Sequence, residues 1–157
     1  MITNNVNSKK FKNWIRSTEP DFIVSSNSLI FDSELIKIPE IQCLNRHSAL
    51  LPTNKGILPI FRSIELNHSF MGVTIHKMTE MIDAGDIVSQ FAFPIYKNDS
   101  LQNLYKVSFD ISYFLIVQAL FNYKISRKSI SPYNESYHSF PKYENWRNFN
   151  RKKIPFI

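Results

Sequence analysis

Three of the four histidines (His47, His68, His76) and all three glycines (Gly56, Gly72, Gly85) of this 157-residue chain fall between Cys43 and Gln90. Imidazoles that titrate near neutrality and backbone free to take unusual turns are thus concentrated in one stretch, and chemistry is to be sought there. Asn45 and His47 stand two apart at the end of the apolar run Ile41, Cys43, Leu44. In a strand that spacing puts both side chains on one face, an amide beside an imidazole. Metal chemistry fits the pattern poorly. His68 and His76 are eight apart with no His-Glu-x-x-His, the chain has one cysteine, and Asp83 and Asp86 lack the alternation of a calcium loop. No bound metal is expected.

Four blocks follow one another: N-R-H-S-A-L-L-P from Asn45, K-G-I-L-P from Lys55, G-V-T-I-H from Gly72 and D-A-G-D-I-V-S-Q from Asp83. Their order and spacing resemble the signature of the folate-dependent formyltransferases, the family of methionyl-tRNA, glycinamide ribonucleotide and sugar-nucleotide N-formyltransferases. The resemblance implies transfer of a formyl group from 10-formyltetrahydrofolate to an amine through a tetrahedral intermediate, which needs a hydrogen-bond donor at the developing oxyanion. By the family's pattern the catalytic trio is Asn45, His47 and Asp83. Asn45 would offer an amide N–H, His47 a second donor, and Asp83 a carboxylate that raises the histidine pKa and takes part in proton transfer from the amine. The resemblance also sets Leu51, Pro52, Lys55 and Gly56 beside the amine, with Lys55 where the family usually has arginine. It lays the pteridine ring against Ser28, Leu29 and Ile30 and against the backbone from Thr79 through Ile82 to Asp83.

The elements that must position these groups read as α/β. Residues 8–18 have apolar Phe11, Trp14 and Ile15 at helical spacing behind Ser8, and 21–24 make a short strand. Asp32 caps a brief helix with Leu35 and Ile36, and 41–46 form a second strand, which together make a parallel β-α-β unit. Residues 50–56 read as loop, 59–67 as a helix opened by Pro59, and two strands around the Asp83 turn as an antiparallel ribbon. Ser100 caps the longest helix, 101–123, and a short helix is expected near 143–150. The family resemblance implies a Rossmann-type three-layer domain with a mixed sheet. It further implies that the N-terminal half of that sheet is missing, since only residues 1–21 precede Phe22. Residues 1–125 would be a partial catalytic domain and 126–157 a tail packing on it or extending from it.

Composition bounds the partners. The net charge of +6 suits anionic ligands such as nucleotides and phosphates. No signal peptide opens the chain, the apolar run 111–121 is shorter than a membrane span, and a lone cysteine suits a reducing cytoplasm, so a cytoplasmic protein without a membrane is expected. Residues 126–157 are too few for the C-terminal β-barrel carried by transfer-RNA formyltransferases. A small, nucleotide-linked amino sugar is therefore the favoured amine, with nucleic acid disfavoured. The alternatives are glycinamide ribonucleotide or methionyl-tRNA, or an inactive remnant or regulatory subunit of the family. An open strand edge at Phe22–Val24 predicts a homo-oligomer or a partner supplying an N-terminal segment, and weak activity of the chain alone.

Overall fold

The computed structural model describes residues 2–156. Ser8 Oγ accepts from the Phe11 N–H and opens α1 (Lys9–Arg16), and Asp32 accepts from Leu35 to open α2 (Ser33–Ile36). Lys12 of α1 is buried and bonds both Asp32 and Glu34, which locks the two helices together. Between and after them run β1 (Phe22–Ser25) and β2 (Gln42–His47), paired in parallel as the β-α-β reading requires. Next come β3 (Lys55–Gly56), α3 (Pro59–Glu65), β4 (Phe70–Lys77), β5 (Ile87–Pro94) and α4 (Leu101–Phe121), the last opened by Ser100. β6 (Tyr137–His138) and α5 (Tyr143–Arg151) complete the order.

The main sheet runs β1-β2-β4-β5, parallel at its first pairing and antiparallel at the other two, so it is the mixed sheet expected. Strand alternation divides its faces. Leu44, Val73, Ile75 and Val88 join Leu104, Leu115 and Ala119 of α4 and Ile60, Phe61 and Ile64 of α3 in the larger core. Ile23 and Cys43 point the other way, against Phe11, Phe31 and Leu35. Helices on both faces make three layers. Among the described residues β1 has a strand neighbour on one side alone, and its Val24 is exposed.

Two features depart from the sequence reading. The stretch read purely as loop before α3 contains β3, which pairs in parallel with β6 (Lys55 with Tyr137, Gly56 with His138). Pairs of two-residue strands carry no periodicity, so nothing in the pattern announces them. The second is α4, which by length and composition is apolar enough to cross a membrane, although the run 111–121 alone is not. Here one side of it lies on the sheet: Leu104, Leu115 and Ala119 are buried, and the hydroxyls of Ser108 and Ser112 accept from Arg46 Nη2 and Nε of β2. Its other side carries exposed Phe114 and Phe121, which is why its composition looks uniformly apolar.

Candidate active site

Register across the sheet assembles the site. Ser25 of β1 pairs with Asn45 of β2, and Asn45 pairs with His76 of β4. The next rung joins His47 to Thr74 and Thr74 to Gln90. Cross-strand partners share a face, so one side of the sheet presents hydroxyls, amides and two imidazoles where the other presents Leu44 and Ile75. Asp83 descends onto this face from the turn after β4, with φ at 49°. Gly85 lets the turn close, because a Cβ there would lie 1.8 Å from the Lys77 carbonyl oxygen.

The Asp83 carboxylate is the hub. Its Oδ1 accepts from Asn45 Nδ2 at 3.3 Å and lies 3.4 Å from His76 Nε2. Its Oδ2 accepts from the Gly56 N–H at 2.8 Å and lies 3.5 Å from His47 Nδ1. The structure thus brings together Asn45, His47 and Asp83, and adds His76, whose Nε2 is also 3.3 Å from Asn45 Nδ2. A carbonyl can only accept, so the 2.9 Å contact of His47 Nε2 with the Asn54 carbonyl puts that ring's proton on Nε2. By the same argument His76 donates from Nδ1 to the Lys77 carbonyl at 2.9 Å. The remaining nitrogen of each ring turns to Asp83.

Burial pushes His47 below the ordinary imidazole value and outweighs the attraction of Asp83, so the expected rise is reversed. Burial also pushes the Asp83 carboxyl up, but the His76 hydrogen bond, the His47 charge and the Gly56 N–H together hold it down at about 2. At neutral pH the hub is an anion beside a neutral His47. A histidine whose folded pKa lies below its unfolded 6.5 binds its proton more readily when unfolded, so stability drains away as pH falls beneath that value. Asp83, shifted down from 3.8, contributes stability that is whole above that pH and is lost as pH falls through about 2. A melting series from pH 8 to pH 4 should therefore show Tm declining below about 6.5. His47→Gln should flatten that limb; an unchanged decline in the variant would clear His47 of responsibility.

Donors expected to face a substrate are engaged within the site. Asn45 Nδ2 is held by Asp83 and His76, and His47 Nε2–H by Asn54. What Asn45 leaves free is its Oδ1, buried and without a partner among the described residues; Ser25 Oγ is likewise buried and unpartnered among them. An unmet buried polar atom costs about 1–3 kcal/mol.

Around this centre the other expected residues divide. Gly56 touches Asp83 directly, and Lys55 pairs with Glu135. Leu51 does not line a surface: its side chain is buried, its N–H donates to Thr74 Oγ1, and its carbonyl accepts from Gln90 and Ser129. Pro52 follows it through a cis peptide bond. Ser28, Leu29, Ile30 and Ile82 are exposed, in the loop after β1 and the turn before Asp83. The sequence pattern alone does not assign His76, Asn54 and Ser25 to the site. For His76, alternation along 73–78 sets it on one face with Thr74, but its partner depends on strand register. His68 stacks on Tyr133 at 3.9 Å, and no hydrogen bond or ion pair joins it to the Asp83 hub.

A mixed three-layer sheet whose polar face joins Asn45, two histidines and a loop aspartate is the frame of one protein class. A family model described as "Formyl transferase" matches residues 2–120, and the chain belongs to that family. Its relatives include the methionyl-tRNA formyltransferase of Caldicellulosiruptor saccharolyticus, 32% identical over 115 residues that make up 73% of this chain and 37% of that protein. Among solved structures, a sugar N-formyltransferase from Shewanella sp. FDAARGOS_354 superposes with a TM-score of 0.70 at 27% identity, covering 94% of this chain and 65% of that one. The formyltransferase PseJ from Anoxybacillus kamchatkensis, solved with UDP-4,6-dideoxy-4-formamido-L-AltNAc and tetrahydrofolate, matches at 29% identity and a TM-score of 0.61 over 75% of this chain and 64% of its own. The chain therefore spans a little over a third of that curated relative and about two thirds of these structures.

Proposed function

We propose that this chain carries the centre of an enzyme that moves a formyl group from 10-formyltetrahydrofolate to the amine of a nucleotide-linked amino sugar. The observation that carries the reading is the Asp83 carboxylate, its side chain 9% exposed, with two imidazole nitrogens and an amide turned upon it. In the reaction the amine nitrogen adds to the formyl carbon and the C=O π pair moves to oxygen. The pair then returns as the bond from carbon to folate N10 breaks, and the proton shed by the amine ends on N10. An anionic carboxylate beside the Nδ1 of a neutral His47 is suited to hold that proton in between, as general base and then general acid. The sugar assignment is supported by the Shewanella and Anoxybacillus structures, and a net charge of +6 favours a phosphorylated substrate.

Release of tetrahydrofolate, followed with a panel of dTDP- and UDP-linked amino sugars, glycinamide ribonucleotide and methionyl-tRNA, tests the reading. Turnover with an amino sugar is expected. Turnover confined to methionyl-tRNA or glycinamide ribonucleotide would overturn the substrate while keeping formyl transfer, and a chain that binds no folate would overturn both.

A further inference from the structure

We infer that the cleft along the outer edge of β5 is a binding site for a small organic phosphate, separate from the Asp83 hub and independent of the reaction assigned to it. β5 ends the main sheet, and the segment 125–130 straps its free edge: the Arg127 N–H donates to the Ile87 carbonyl at 2.7 Å, and the Ile130 N–H to Gln90 Oε1 at 2.8 Å. Between this strap, the strand and Gln118 of α4 lies a cleft of about 450 Å³, within the size range of small-molecule sites. Every residue of the strap is exposed, so solutes reach it. None of Asn45, His47, His76 and Asp83 lines the cleft. Gln90 stands two strands beyond His47 on the rung that also holds Thr74, a separation of about 10 Å.

The side chains lining the cleft are one-sided in their chemistry. Gln118 Oε1 already accepts from Ser89 Oγ, and the Gln90 amide is engaged at both ends, its Oε1 by Ile130 and its Nε2 by Leu51 and Thr74. Asp86, which bonds the lining residue Ser126, is itself paired with Lys77. What bonds no other group among the described residues is donor: Arg127 Nη1 and Nη2, the Lys128 ammonium and Gln118 Nε2. Arg127 is also fixed in place. Its Nε donates to the Val88 carbonyl at 3.0 Å while its backbone N–H holds Ile87, so the guanidinium is anchored at the strand edge with both Nη groups unused. A planar fork held in that way, beside an ammonium, matches the oxygens of a phosphate. Ile125 and Ile130 complete the lining with apolar wall, which suits the organic part of a phosphate ester.

The test is NMR of the whole chain titrated at fixed ionic strength with inorganic phosphate and with phenyl phosphate. Both should saturate and move the backbone amides of residues 125–130 and the side-chain amide of Gln118, phenyl phosphate at lower concentration because its ring has Ile125 and Ile130 to lie on. Arg127→Gln and Lys128→Gln should each weaken phenyl phosphate by roughly tenfold or more, the scale of a hydrogen bond to a charged group. Lys128 bonds no neighbour, so its variant does not act by loosening the strap. Arg127→Lys, which keeps the charge and loses the fork, should weaken binding too. Arg147→Gln, which removes one positive charge from α5, should bind as the wild type does. An equal loss in Arg147→Gln would reduce the effect to net charge and overturn the site. Phenyl phosphate binding no tighter than phosphate would overturn the organic ligand, and shifts centred on residues 45–56 would put the anion in the hub and overturn the separate site. Absence of saturation by either compound would overturn the whole inference, and none of these outcomes bears on formyl transfer, which the folate and amine assays decide.

Discussion

Asp83→Asn is expected to fold and to lose kcat by roughly 10² or more in any assembly that turns over, the scale at which a proton-transfer partner acts. The substitution keeps size and one acceptor, so the Gly56 N–H can still find an oxygen at the position it now bonds at 2.8 Å. What it removes is the charge. With its oxygen kept on the Gly56 side, the new amide turns its NH2 to the Oδ1 position, toward the His76 nitrogen now 3.4 Å away. The His47 nitrogen, 3.5 Å from Oδ2, then faces a neutral carbonyl oxygen. No anion would then remain to draw the amine's proton or to stabilise it on the neighbouring His47 nitrogen. The loss should fall on kcat with the folate KM little changed, as befits an interaction made in the transition state. Steady-state kinetics checks this, and an Asp83→Asn enzyme with unaltered kcat would remove Asp83 from the chemistry.

The largest expected effect on stability lies far from that cluster. Phe149→Ala should lower the unfolding free energy by about 3–5 kcal/mol, a large share of the 5–15 kcal/mol typical of a whole domain. Phe149 is 1% exposed and stacks on Phe61 with ring centroids 4.6 Å apart, with Phe156 at 5.4 Å. Deleting the ring opens a cavity between α5 and α3 that rigid neighbours cannot fill. Urea unfolding followed by the fluorescence of the two tryptophans, Trp14 and Trp146, the latter 6.5 Å from Phe149, measures the change. A loss under about 1 kcal/mol would mean that α5 does not complete the core.

How far these features can be read from the chain depends on their range. Asn45 and His47 are two apart, and a period of two is enough to set them on one face; Ser8, Asp32 and Ser100 announce the helices they cap because capping is local. The mixed sheet and the place of Asp83 were legible through the resemblance of whole blocks. Register was not: which residue stands opposite Asn45 depends on the pairing of β2 with β4 and β1, and so His76 and Ser25 entered the site only with the structure. Nor was burial. Asp83 suggested a raised histidine pKa, but the depth of His47 decides the sign. Leu51 stood in a block that the resemblance assigned to the substrate, yet its side chain serves the core while its carbonyl anchors Gln90 and Ser129.

The small β3–β6 ribbon has a consequence for how the molecule comes into being. Gly56, whose N–H holds Asp83, lies so close to His138 that an added Cβ would stand 2.1 Å from its carbonyl oxygen. The neighbouring Asn54, whose carbonyl fixes His47, donates its own N–H to Ser136, 82 residues further along. A ribosome has therefore delivered every member of the trio by residue 83, long before it supplies the partner strand that steadies the two backbone groups gripping them. Loops of that length close late, because the entropy of closing them is spent before the contact rewards it. The sheet can form on a growing chain well ahead of its chemistry, and a nascent protein stalled before Ser136 would hold the right side chains without the clasp that sets them.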